Sequence, residues 1–355
     1  MSAGYFDKRE KLYLDDLFWG LVTSSHILHH HGILDAYGHV SVRNPDEPSH
    51  FFMSTSIAPA LLSNSDDIIE YNVEDASPAD PNEKRKGFLE RCIHSEIFKK
   101  FPTINAVVHS HCPDILPYTI NSVPLKASIH TASFLGTDVP VWDIASAYSS
   151  MPSLTGGEKE KHNLLVGTTQ LGHHLAAAFK PSSSGAFLYQ TMRAALPSQL
   201  SGSVESRMEP SHPVVLMRGH GFTTCADSLE AVVFQSIYTK EAAKAETQAL
   251  LTNAAYFTEL SFTDSMSMEG TVNLDEKGSG KIKSGKVKGG KARRESEEVK
   301  YLSEREADDA WEVIRATMIR PWGSWCREVE VNPLYRNEVK REGEGKVSVL
   351  EQNDL

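Results

Sequence analysis

Ala106-Val-Val-His-Ser-His-Cys-Pro113 is the stretch on which the reading of this chain turns. Ala106, Val107 and Val108 read as a short buried strand. Residues two apart on a strand share a face, so His109 and His111 would stand side by side, close enough to hold one metal ion. Upstream, Phe88-Leu-Glu-Arg-Cys-Ile-His94 begins a segment with Leu89, Ile93 and Ile97 at helical spacing, ended by Pro102. Glu90 and His94 lie one turn apart on that helix and share a face. Downstream, Val214-Val-Leu-Met-Arg-Gly-His-Gly221 reads as another buried strand running into a glycine-flanked turn, from which His220 projects. A strand-end histidine far away in sequence is suited to complete an HxH pair. Catalytic zinc takes three protein ligands and keeps one position open.

Four blocks now stand in order: Gly38-His-Val-Ser-Val-Arg43, Glu90-Arg-Cys-Ile-His94, Val107-Val-His-Ser-His111 and Leu216-Met-Arg-Gly-His-Gly221. Together they make the chain resemble the class II aldolase/adducin family over roughly residues 10 to 255. The resemblance implies an α/β fold, a three-layer α/β/α arrangement whose central, mostly antiparallel sheet is flanked by helices. It implies His109, His111 and His220 as metal ligands, and Glu90 as the acidic residue beside the metal that moves protons. It also implies a homo-oligomer, commonly a tetramer, with sites at subunit boundaries. His130 falls near the position where the aldolases carry an acid residue donated across such a boundary.

Two departures from the sugar-phosphate aldolases matter. Those enzymes have Asn, which helps hold the phosphate, where this chain has His39. Gly-His-Val-Ser-Val-Arg looks more like the family's decarboxylase-type branch, which acts on hydroxylated carboxylic acids. Phe51-Phe-Met-Ser-Thr-Ser-Ile-Ala-Pro59 also lacks the small glycine loop that would wrap a phosphate. The second departure is length, with extra residues around 149 to 162 and 195 to 212.

The chain has 355 residues, 40% of them apolar, enough for one large core or two modest domains. A net charge of −11 gives no electrostatic reason to expect nucleic acid as a partner. Cys92, Cys112, Cys225 and Cys326 show no CxxC spacing and are expected as reduced thiols, with Cys112 a bystander beside the metal pair. No signal peptide is evident, and no run approaches the ~20 apolar residues of a membrane span. No membrane partner is therefore expected, and a cytoplasmic location follows by elimination.

Residues 9 to 31 read as an amphipathic helix carrying Leu14, Leu17, Phe18, Leu21 and Val22, terminated at Gly32. His29, His30 and His31 are expected at a solvated helix end, since consecutive helical residues point about 100° apart. Strands are expected at 39–43 and 50–53, a helix over Leu164–Phe179, and another from about Asp227 to Leu251. The division reads 1–262 as catalytic domain and 263–300 as a flexible Gly/Lys-rich insertion. Residues 301–340 follow as a C-terminal helix and docking segment, and 341–355 as an acidic tail. In the docking segment a helix should start near Ser303 and end at Pro321, with Trp322 and Trp325 packing on the core or on another subunit.

The constellation suits a divalent metal, zinc first, with Fe2+, Mn2+ or Co2+ as alternatives. Such an ion can bind two adjacent oxygens of a small-molecule substrate and stabilise the enolate left when a carbon–carbon bond breaks. The reading is a metal-dependent carbon–carbon lyase, decarboxylase or aldolase, acting on a non-phosphorylated hydroxy or keto acid. The expected catalytic residues are Glu90 and His130, and the expected substrate-binding residues are His39, Ser41, Arg43 and Ser54. Arg43 has a structural ion pair as its alternative role. Two other readings stay open: a metal-dependent oxygenase or isomerase on the same fold, and a non-catalytic adducin-like interaction module.

Overall fold

Among the described residues, seven strands account for the apolar runs. They are β1 (His39–Arg43), β2 (His50–Ser54), β3 (Ile68–Asn72), β4 (Ala106–Ser110), β5 (Val141–Trp142), β6 (Val214–Met217) and β7 (Gly221–Ala226). In the computed structural model, which describes residues 14–150, 162–180, 209–266 and 299–340, they form one sheet in the order β3-β2-β1-β4-β7-β6-β5. Every pairing is antiparallel except that of β5 with β6. All five residues of β4 are buried. A strand without a polar face needs a layer on each side of the sheet.

The helices supply both layers. In chain order they are α1 (Leu14–His30), α2 (Arg91–Lys100), α3 (Leu116–Ile120), α4 (Ile144–Ser150), α5 (Thr169–Ala178), α6 (Leu229–Met266), α7 (Glu304–Thr317) and α8 (Ile319–Val331). Alternation along the strands splits the core in two. Val40, Val42, Phe52, Val108, Leu216 and Phe222 join Leu21 and Leu28 of α1 and Val233 of α6. Phe51, Met53, Val107, Val215 and Met217 join Ile93 and Ile97 of α2 and Leu171 and Leu175 of α5. This is the expected three-layer α/β/α arrangement with a mostly antiparallel sheet. Each such fully buried side chain contributes about 1.5–3 kcal/mol before entropy is counted.

The ends of the helices differ from the sequence reading in instructive ways. Gly32, at φ +64°, stops α1 where expected, while residues 9–13 lie outside the described residues. The histidine end of α1 is not solvated throughout. His29 Nδ1 lies 2.9 Å from the Tyr335 hydroxyl and His31 Nε2 3.1 Å from Glu328 Oε2, with the Trp325 ring edge-on to His31 at 5.5 Å. A segment some three hundred residues later covers that end, which local spacing has no means of showing. α6 continues to Met266, past the expected stop near Leu251 and the boundary at 262. The Gly/Lys-rich stretch beyond it and the acidic tail lie outside the described residues.

The C-terminal segment docks on its own chain. Ser303 and Glu306 form a reciprocal cap at the start of α7. Pro321 does not end that helix; it sits in the first turn of α8, where its missing N–H breaks no helical bond. Trp325 packs against Phe234 and Tyr238 of α6, and Trp322 is half-buried on the same core.

His26 makes a pH prediction. Its ring is buried in α1 with Nε2 2.7 Å from the Leu62 carbonyl. Burial, the largest influence, lowers its pKa from 6.5 to about 4. The unfolded chain therefore binds a proton that the folded chain refuses between those values. Stability from this group is complete above pH 6.5 and is lost as pH falls toward about 4. Urea midpoints of the wild type should drop across that window more than those of His26→Gln; parallel curves would clear His26 of this role.

Candidate active site

Register does the first part of the positioning. His39 pairs with His109 across β1 and β4, and His109 with Thr223 across β4 and β7. Directly opposed side chains share a face, so these three stand in a row on the face covered by α2. His111 follows one residue after β4 ends. His220 occupies the β6–β7 turn, where the glycines are required. Gly219 has φ +64°. A Cβ on Gly221 would meet the Ser110 carbonyl oxygen at 1.9 Å.

The three Nε2 atoms converge. His109 and His111 nitrogens are 3.2 Å apart, and those of His111 and His220 are 3.1 Å apart. Glu90 Oε2 lies 3.5 Å from His109 Nε2 and 3.7 Å from His220 Nε2. One donor atom from each of the four residues falls within 4.8 Å of the others. The opposite edges of the rings are tied down. Thr223 donates its hydroxyl to Met217 Sδ at 3.2 Å, so it accepts from His109 Nδ1–H at 3.1 Å. His111 Nδ1 lies 3.2 Å from Asp35 Oδ1. Burial works against ionising Asp35, but the Tyr37 and Gly38 amides and His111 hold its carboxyl below the ordinary range. An ionised carboxylate only accepts, so His111 donates to it. His220 bonds to the backbone of Leu164.

This donor set fits a divalent cation. Thr223 and Asp35 take the Nδ1 protons of two rings, which leaves lone pairs on their Nε2 atoms. Lone pairs 3.1–3.2 Å apart repel unless a cation lies among them. Burial lowers His220 to about 4 and lowers His111 as well, so both rings are neutral near neutral pH, the form a metal would need.

Glu90 is the N-cap of α2. Its Oε1 accepts the Val166 amide at 2.9 Å, leaving Oε2 for the cluster. Burial would raise its pKa, but His109, His220 and the Val166 amide prevail and bring it to about 2. The backbone that serves Glu90 and His220 is the stretch before α5. Helix was expected there from Leu164, yet α5 starts at Thr169, capped by Thr168. Leu164 instead takes φ +64°, a costly value for a leucine, in the segment that delivers these two backbone groups.

The expected substrate-binding residues divide. His39 and Ser41 lie on the cluster's face. His94 of α2 reaches between them, its Nδ1 2.6 Å from Ser41 Oγ and its Nε2 2.7 Å from His39 Nδ1. Burial, with His109 adding to it, lowers His94 to about 3. Arg43 is engaged elsewhere. Its guanidinium donates to the carbonyls of Ile104, Pro48 and Phe98 at 2.9, 2.6 and 2.8 Å and packs over the Phe98 ring. Among the described residues it has no ion-pair partner, and these three carbonyls occupy its guanidinium. It ties the C-terminal end of α2 to the sheet. Arg43→Ala should cost about 3 kcal/mol of stability, the scale for losing charge-assisted bonds to buried acceptors, and should leave acid affinity unchanged in the folded fraction. Thermal unfolding and calorimetry measure the two.

Ser54 pairs with Ile68, one step on from the Ser41–Met53 pair. Alternation therefore turns it to the α1 face with Phe52, away from the cluster. His130 is exposed at the start of a turn (His130–Leu135) that packs against α6 and α7 and is not part of the cluster. Cys112 Sγ lies 3.9 Å from Asp114 Oδ2 and is likewise outside it. Sequence reading missed Asp35, Thr223 and the Val166 amide. An Asp two residues before Tyr37 reads as an ordinary turn former, and a strand threonine or a backbone N–H carries no signal at all.

A model of the class II aldolase and adducin N-terminal domain matches residues 20–247. Decarboxylase tropJ of Talaromyces stipitatus is 37% identical over 316 residues, 89% of this chain and 95% of that protein. The 3,4-dihydroxyphthalate decarboxylase of Arthrobacter keyseri is 25% identical over 166 residues, 46% of this chain and 50% of that protein. Among solved structures, an aldolase II superfamily protein from Pseudomonas syringae superposes with a TM-score of 0.53 at 15% identity, covering 90% of this chain and 94% of that one.

Proposed function

Because the chain belongs to the class II aldolase and adducin family, on its decarboxylase side, we propose that it is a metal-dependent lyase that decarboxylates a non-phosphorylated hydroxy or keto acid. Its decarboxylase relatives support a lyase in general terms. The single observation that carries the finer reading is the convergence of His109, His111, His220 and Glu90 within 4.8 Å. A non-catalytic module would have no use for three imidazoles aligned by Thr223, Asp35 and the Leu164 backbone.

His109, His111 and His220 would hold the cation, with zinc the first candidate and Fe2+, Mn2+ or Co2+ next. Bound there, it supplies Lewis acidity toward adjacent substrate oxygens. Glu90 is ionised at rest and enters as a base. Its free Oε2 takes the proton of a substrate hydroxyl and returns a proton to the carbon that the carboxylate leaves. Glu90 and His39 are buried, which would limit the water able to compete for that carbon. The homo-oligomer implied by the family is part of this proposal, and there exposed His130 could meet a neighbour's site; sedimentation reports the assembly. Among the described residues no helix is long and apolar enough to cross a membrane.

The test is carbon dioxide release from hydroxylated aromatic and keto acids, 3,4-dihydroxyphthalate first, since a relative is named for that compound. Activity should vanish with chelator, return with zinc and be indifferent to oxygen. A clear preference for a phosphorylated sugar, or an absolute need for oxygen, would overturn the reading.

A further inference from the structure

The two ring nitrogens of His39 have different surroundings. Nδ1 faces His94 Nε2 at 2.7 Å. Nε2 is buried and has no hydrogen-bond partner among the described residues. The residue is 2% exposed, and its ring lies 5.2 Å from the His109 ring and 4.7 Å from that of Phe88. Buried polar atoms are rarely left unpaired without a reason. This one stands beside the metal cluster.

Hydrogen bonding upstream of His39 fixes what that nitrogen offers. The Ser41 hydroxyl is fully buried, and its partner among the described residues is His94 Nδ1 at 2.6 Å. A hydroxyl must place one proton. If His94 Nδ1–H donated to Ser41, the serine proton would be stranded, at a cost of about 1–3 kcal/mol. The serine therefore donates, and His94 Nδ1 accepts. A neutral His94 then carries its proton on Nε2 and donates to His39 Nδ1. A neutral His39 has one proton left to place, and only Nε2 is open to it.

We propose that Ser41, His94 and His39 form a directed hydrogen-bond relay that locks His39 as the Nε2–H tautomer and aims this donor at an acceptor oxygen of the bound acid. His39 touches substrate; His94 and Ser41 are positioning residues that act through it. The acid as recipient rests on the lyase reading, whereas the direction of the relay does not. The same tautomer gives the Gly38-His39 position a specificity role. A neutral N–H donates to a carboxylate or carbonyl oxygen and offers nothing to a substrate group that can only donate.

The experiment uses the full-length, metal-loaded protein with 15N-labelled histidine. The His39 resonances are assigned by their loss in His39→Gln, and nitrogen shifts separate protonated from unprotonated ring positions. Without ligand, His39 Nε2 should be protonated and Nδ1 bare. The opposite pattern overturns the relay. Ser41→Ala should scramble the His39 pattern, and Ser41→Thr, which keeps the hydroxyl, should preserve it. A pattern unmoved by Ser41→Ala overturns the serine's part. Titration with 3,4-dihydroxybenzoate should then move the His39 Nε2 signal. Calorimetry should find that acid bound roughly 10–100-fold more weakly by His39→Leu, the scale of one hydrogen bond to a charged oxygen, at unchanged metal content. Unaltered affinity overturns the substrate contact. If the acid disturbs neither His39 nor the cluster histidines, the assignment of the acid fails together with the lyase reading. The relay is judged separately, on the nitrogen pattern recorded without ligand.

Discussion

His109→Ala and His220→Ala proteins are expected to fold, to purify without bound metal, and to lose at least about 10³-fold in turnover, the scale of several kcal/mol of Lewis-acid stabilisation. Two sets of contacts lead there. The fold does not depend on the cation, because two apolar clusters, one on each side of the sheet, bury side chains such as Leu21, Phe222, Ile93 and Phe98 independently of the site. The cation does depend on each ring, since a three-histidine site that loses one nitrogen keeps too few neutral donors. Metal analysis of the purified variants, with circular dichroism beside it, separates these effects. Full occupancy in either variant would remove that residue from the ligand set. Loss of folded structure would show instead that the metal is part of the fold.

Glu90→Gln is expected to retain the metal and bind the acid, yet to fall roughly 10²–10⁴-fold in turnover, the usual range for a general acid–base group. Glutamine keeps an acceptor for the Val166 amide, so the cap of α2 and its junction with the 162–168 segment should survive. What it removes is the basic Oε2 that lies 3.5 Å from His109 Nε2. Glu90 is brought to about 2, so the wild-type carboxylate stays ionised throughout the neutral range. A glutamine amide does not titrate, so the lost activity should not be recovered at any pH from 5 to 9. Unchanged turnover would reduce Glu90 to a structural cap. Weaker metal retention would make it a fourth ligand.

Much of this was legible locally. Ala106-Val-Val-His-Ser110 is a buried strand, as its composition indicates, and His111 just past its end still meets His109, as the period-two spacing suggests. Arg218-Gly-His-Gly221 announces a turn that only glycine can make. The order of the blocks points to the family, and the family to the three-layer fold. Local pattern failed where a side chain's role is set by what arrives from elsewhere. Arg43 sits on a strand between candidate site residues, and its sequence suits a carboxylate clamp. Only the approach of the Phe98, Ile104 and Pro48 carbonyls commits it to holding α2. The histidines ending α1 looked solvated until Tyr335 and Glu328 were packed against them.

The sequence by itself determined the residues able to bind a metal and the faces they occupy, because strand and turn geometry act over two to four residues. Tertiary structure alone decided which atoms of those residues remain available. His39 and His109 become neighbours through β1–β4 register, the Thr223 and Asp35 contacts set the tautomers of His109 and His111, and the Val166 amide leaves Glu90 one free oxygen. Protonation and hydrogen-bond direction depend on partners brought together by burial from distant parts of the chain, and no local pattern of residues encodes them.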